Sequence, residues 1–170
     1  MELKQFFLNQ LEAEAKRTRR AIEAVPDGHV DWVPHGKSMP FGRLAMLVAG
    51  MPAWVPLIVD EDSLDLNPPG GGSNYQSPPM DTREQRVQAV VDNVAKGRAA
   101  LEATNDALLL KPWQLKVAGK VVSEDPKYVV LRDTFAHLAH HRGQLTMYLR
   151  LLDAKVPAIY GPSADDQRFD

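Results

Sequence analysis

Residues 127–152 read KYVVLRDTFAHLAHHRGQLTMYLRLL, and this stretch decides the fold class expected for the chain. Val130, Leu131, Thr134, Leu138, Leu145, Leu149 and Leu152 recur every three, four or seven positions, which places them on one side of a helix. A helix from about Lys127 to Leu152 is long enough to be a central packing element, so the remaining segments are read as what packs around it.

Three further segments carry helical periodicity. From Leu3 to Val25 the pattern Leu3, Phe6, Phe7, Leu11, Ala15, Thr18, Ile22 and Val25 ends at Pro26-Asp27-Gly28. Lys16, Arg17, Arg19 and Arg20 lie among Glu12, Glu14 and Glu23 and read as a hydrated face with local ion pairs. A second helix is predicted to begin at Met39 or Pro40, with Ser38 as its cap, and to carry Phe41, Leu44, Ala45, Leu47, Val48 and Met51. Pro52 and Pro56 predict a kink or break followed by a short continuation through Trp54, Leu57, Ile58 and Val59. Asp81 followed by Glu84 predicts the start of a third helix over roughly Thr82 to Thr104, weakened at Gly97.

Two connections are longer. Asp60 to Met80, rich in proline and glycine, has no apolar period and reads as an exposed connection. Its triple glycine, residues 70–72, does not match a phosphate-loop pattern. Residues 113–122 suit a short hairpin-like excursion or an ordered loop. The expectation is therefore all-α: a four-helix bundle with long connections, a single domain over residues 1–170.

The 20 Lys+Arg balance 22 Asp+Glu, which argues against a nucleic-acid partner because repeated phosphate contacts need a concentrated basic surface. There is no cysteine, so thiol nucleophiles and Cys-ligated metals are excluded and any metal must be held by N and O. No apolar run is expected to cross a bilayer, and the amino terminus lacks a secretory signal pattern, which predicts a cytoplasmic protein.

Chemistry concentrates within the final helix. Three of the five histidines fall in Asp133-Thr134-Phe135-Ala136-His137-Leu138-Ala139-His140-His141-Arg142-Gly143-Gln144. His137 and His141 are one turn apart and project to the same side, as two ligands of zinc, nickel or another divalent metal require. Asp133, one turn earlier, can supply an oxygen ligand or orient an imidazole. The same spacing suits a polar network without metal, with His140, Arg142 and Gln144 as hydrogen-bonding partners. Gly143 fits either a close approach or an isolated surface position. Trp54, Tyr75, Trp113, Tyr128, Tyr148 and Tyr160 read chiefly as packing anchors. A serine-hydrolase triad and a dinucleotide-binding loop both lack their sequence contexts.

The run His137-Leu138-Ala139-His140-His141-Arg142-Gly143-Gln144-Leu145, continued by Leu151–Pro157 and Ile159–Asp165, resembles the DinB-like superfamily of damage-inducible four-helix proteins with an ascribed metal site. Trp32 to Leu47 resembles the beginning of that family's second helix, so the likeness covers most of the chain. The resemblance implies a homodimer. It also implies a metal held by His137, His141 and a third histidine on the second helix, but the matching position is Leu47, which cannot ligate. His35 and Asp133 are the substitutes at hand, and neither matches the family's position. Two functions follow from the likeness. One is a noncatalytic or degenerate-site protein that binds a small molecule. The other is a divalent-metal-dependent thiol transferase, isomerase or hydrolase, with the metal as Lewis acid or activator.

Overall fold

The computed structural model describes residues 2–72 and 80–169. Helix α1 spans Leu3–Glu23 and buries Phe7, Leu11, Glu14, Thr18, Ala21 and Ile22, the three- and four-residue spacing of a single helix face. No local side chain caps it. Instead Asp106, on the short helix α5 (Asp106–Leu109), accepts the Leu3 and Lys4 amides at 2.9 and 3.1 Å, placing a carboxylate at the positive end of the helix.

Helix α2 (Phe41–Gly50) begins at Pro40 without a side-chain cap, and Ser38 instead donates its amide to the His35 carbonyl at 2.8 Å in a turn. The Phe41 and Gly42 amides are satisfied by the carbonyls of Trp32 and Val30, both at 2.9 Å. That folded-back loop explains the glycine: a Cβ on Gly42 would lie 3.0–3.1 Å from Val30. A 3₁₀ turn, Met51–Ala53, separates α2 from α3 (Trp54–Asp60), so the prolines do interrupt the helix. By length and composition Phe41–Asp60 is apolar enough to cross a bilayer, contrary to the expectation that no such run exists; most of its central window is instead buried within the protein.

Helix α4 (Arg83–Ala103) starts one residue later than its expected cap. Thr82 accepts the Gln85 amide at 3.2 Å while the Gln85 side chain accepts the Thr82 amide at 3.0 Å, a reciprocal box that Asp81 and Glu84 do not form. Gly97 marks a close helix approach, since a Cβ there would meet Val55 of α3 and Leu11 of α1 at 3.2–3.3 Å. Gly143 has open space, the isolated surface position. Helix α6 (Lys127–Leu151) is the longest element and contributes Leu131, Phe135, Leu138, Leu145 and Leu149 to the interior.

The all-α expectation is overturned by a three-stranded mixed sheet in the order β1 (Ser63–Asp65), β2 (Pro112–Val117), β3 (Lys120–Pro126). β2 and β3 form a hairpin whose turn residues Ala118 and Gly119 both have positive φ, at 51° and 77°. β1 pairs parallel to β2, Leu64 opposite Leu115. Three residues in what reads as an exposed connection are too few to show a period, and their partner lies some fifty positions away, so local patterning misses the pair. Leu64 and Met80 are buried, so the connection is neither wholly exposed nor structureless; residues 73–79, including Tyr75, lie outside the described residues.

The apolar interior forms two clusters. One gathers Ile22 and Val25 of α1 and the segment just after it, Phe41, Leu44 and Val48 of α2, Val90 of α4, and Leu145 and Leu149 of α6. The other gathers Phe7 and Leu11 of α1, Val55 and Ile58 of α3, Leu101 of α4, Trp113 of β2, and Leu131 and Phe135 of α6. Along α1 the buried positions between them are Glu14 and Thr18. Glu14 is thus no member of a hydrated face: it is 2% exposed and pairs with Arg142, 1% exposed, at 2.5 Å. Arg142 also donates to Thr18 Oγ1 at 3.0 Å and to the Tyr160 hydroxyl at 2.6 Å.

Removing one partner of such a pair strands a buried charge, whereas replacing both by apolar groups removes the need for one. Glu14→Ala should therefore destabilise the protein by about 3–5 kcal/mol, read from urea unfolding midpoints. Glu14→Met combined with Arg142→Leu should recover most of that loss. A double variant as unstable as Glu14→Ala would show that packing, not charge, sets the cost.

Candidate functional site

The i, i+4 spacing on α6 brings the His137 and His141 rings together, with Nε2 to Nε2 at 2.8 Å and ring centroids 4.5 Å apart. His141 Nδ1 lies 2.8 Å from Gln144 Oε1. One nitrogen of each ring thus faces a hydrogen-bonding partner along the chain, and which of them donates follows from the ring tautomers. The pair is a hydrogen-bonded relay running from His137 through His141 to Gln144.

The other sequence candidates separate. His140 is exposed and its ring edge faces His141 at 5.1 Å. Asp133 is solvent-facing and paired with its neighbour Arg132 at 2.9 Å, with no hydrogen bond to His137. His35, on the loop before α2, accepts the Lys37 amide at its Nδ1, 3.1 Å away. Arg142 points into the Glu14 network and so parts company with Gln144, its companion in the expected polar cluster. Leu47 is half-buried against the apolar cluster around α2.

Two imidazoles on one tetrahedral zinc at about 2.0–2.1 Å stand about 3.3 Å apart, nitrogen to nitrogen. The 2.8 Å separation is that of a direct hydrogen bond, and chelation through both Nε2 atoms requires the pair to open. Among the described residues no group of three or more His, Cys, Asp or Glu is arranged to hold a metal ion. The donor set as folded fits a polar pair better than a metal centre.

Beside the relay lies a cavity of about 500 Å³ with an almost wholly apolar lining. Its walls come from three layers: Trp54, Leu57 and Ile58 of α3; Leu64, Leu66, Trp113 and Leu115 of the sheet region; and Val130, Thr134 and His137 of α6, with Asp133 at the side. Trp54 packs on His137 at 5.7 Å between centroids. The sheet-side wall is what sequence reasoning missed. Trp113 and Leu115 sit in the segment that suits a hairpin-like excursion or an ordered loop, and the hairpin is there, but Leu64 and Leu66 lie in one read as a connection, and nothing local joins the two into a wall.

Comparison with known proteins places the chain. The DinB family model matches residues 1–168. A DinB-like protein of Bacillus cereus has a similar structure, with a TM-score of 0.65 at 19% identity over 91% of this chain and 95% of that one. A DinB-like protein of Bacillus subtilis gives 0.63 at 14% identity over 95% and 99%. At these identities the likeness speaks for the fold. No curated protein sequence matches the chain.

Burial, and then the neighbouring His141 and His140, hold the His137 pKa below its ordinary 6.5. The unfolded chain then takes up a proton on this residue more readily than the folded one. This contribution to stability is whole above pH 6.5 and is lost as pH falls through the depressed folded value. Urea midpoints measured at pH 7.5 and 5.5 should drop further for the wild type than for His137→Phe. Equal drops would remove His137 from the acid response.

Proposed function

The chain belongs to the DinB family, and from that premise we propose that it is a noncatalytic member that binds a small apolar molecule in the cavity beside His137. The observation that carries this reading is the cavity itself, about 500 Å³ and apolar, walled by Trp54 and Trp113 and edged by an imidazole. Ligand sites characteristically combine such a lining with a few placed polar groups. The histidine relay, satisfied within itself, and Leu47 at the family's third-ligand position support a degenerate metal site.

One observation favours the second reading, a divalent-metal enzyme acting as thiol transferase, isomerase or hydrolase. Gln144 Oε1 engages His141 at Nδ1, which leaves Nε2 as the nitrogen that would ligate once its contact with His137 opened. His137 and His141 would hold zinc or nickel, which when bound supplies Lewis acidity, and Asp133 or His35 would have to move to complete the shell.

A single preparation, purified without a histidine tag, separates the two. The neutral probe N-phenyl-1-naphthylamine should bind saturably at one site per chain, and Leu66→Glu, a charge at a position 56% exposed on the cavity wall, should weaken it about tenfold. Zinc and nickel should show no stoichiometric uptake, and His137→Ala and His141→Ala should leave that unchanged. Stoichiometric metal that both alanine variants abolish would overturn this reading in favour of the enzyme.

We further propose a cytoplasmic homodimer with no nucleic-acid partner, on the family resemblance and the balanced charge. Sedimentation over a dilution series should give twice 18.9 kDa; the monomer mass throughout would refute the dimer.

A further inference from the structure

Resting on the apolar cavity as a ligand site, one group in its wall says what polar atom a ligand brings. The indole of Trp113 lines the cavity and is 6% exposed. Its Nε1–H is buried, with no acceptor in hydrogen-bond reach among the described residues. An indole nitrogen only donates and has no second tautomer, so the chemistry of this atom is fixed. Buried donors are nearly always paired, because leaving one unmade costs more than a made bond gains. Away from the cavity Trp113 packs in the cluster that holds Phe7, Val55, Leu131 and Phe135, whose side chains offer no acceptor. The cavity is the side from which an acceptor can arrive. The other polar groups of the lining leave the choice to Trp113: Thr134 and His137 can each give or take a hydrogen bond, and the Asp133 carboxylate is engaged by Arg132.

We infer that the cavity takes neutral apolar carbonyl compounds, ketones and esters, whose carbonyl oxygen accepts from Trp113 Nε1–H. A hydrocarbon of the same shape fills the space and leaves the indole proton unmade. A carboxylate also accepts, but it carries a charge into an apolar lining, and that costs more than one hydrogen bond returns. Trp113 is thus a specificity-determining residue as well as a wall.

The probes are 2-acetylnaphthalene and 2-isopropenylnaphthalene, alike in shape and differing in the carbonyl oxygen, measured by equilibrium dialysis at pH 7.5. The wild type should bind the ketone about fivefold more tightly, the worth of one net hydrogen bond. Trp113→Phe, which keeps an aromatic wall and removes the donor, should still bind the hydrocarbon and lose that preference. A second readout needs no variant at the site. In a nitrogen-15 correlation spectrum of the wild type the Trp113 indole proton should move downfield when the ketone saturates the protein and stay near its place with the hydrocarbon. The chain has three tryptophans, so Trp32→Phe and Trp54→Phe assign the Trp113 signal by elimination. Equal affinities in the wild type, or a Trp113 signal that the bound ketone leaves in place, would overturn the inference while saturable binding of the hydrocarbon keeps the cavity reading. If neither probe binds, both fall together.

Discussion

The ion pair between Glu14 and Arg142 is the constraint around which the helices are set. Both side chains are almost fully buried, and burying either charge alone costs several kcal/mol, so α1 and α6 are held in the one register that lets them meet. A slip of one helical turn, about 5.4 Å, would strand both. The network also reaches beyond the two helices. Tyr160 closes it from the segment after α6, its hydroxyl between Arg142 and Glu14 and its ring under the Arg17 guanidinium at 4.4 Å. Burial pushes the Tyr160 phenol above its ordinary pKa, with Arg142 opposing, so it stays a neutral donor to Glu14. Asp165 then ties the same segment to Arg150 at 2.6 Å.

A second buried cation does for the sheet what Arg142 does for the helices. Lys127, at the first position of α6, donates to the Val59 and Glu61 carbonyls at 2.9 and 2.8 Å and reaches Asp62 at 3.1 Å. It thereby places positive charge on the carbonyl end of α3. The Asp62 carbonyl accepts the Gln114 amide at 2.9 Å, where β1 and β2 begin to pair, and the Lys127 amide itself binds the Lys111 carbonyl. The end of α3, the beginning of α6 and the sheet are thus joined at one place. These are the three walls of the apolar cavity, so its shape rests on this junction.

The histidine pair illustrates how spacing and geometry divide the work. An i, i+4 pair guarantees that two imidazoles share a helix face, and His137 and His141 do. Their surroundings are settled by neighbours on other turns and elements: Gln144 hydrogen-bonds His141, Trp54 packs against His137, and Asp133 is engaged by Arg132. Arg142 lies directly beside His141 in sequence yet points to a different face and belongs to another network, because one residue is about 100° of rotation.

The long helices were legible because each carries a 3.6-residue apolar period over many turns, as from Phe7 to Ile22 and from Leu131 to Leu149. So were the proline break after α2 and the shared face of His137 and His141, since all of these follow from spacing within one segment. The mixed sheet, the cavity and the burial of Glu14 were not. β1 is three residues long and finds its partner across α4, Glu14 reads locally as one of several surface acids, and the cavity wall is assembled from segments that look like connections. Such features exist only through contacts between residues far apart in the chain, and a local pattern carries no record of which distant group will arrive. Sequence by itself determined which faces are apolar and which residues could do chemistry. The tertiary structure decided which charges had to be buried together, and on which side of His137 a ligand-sized space would remain.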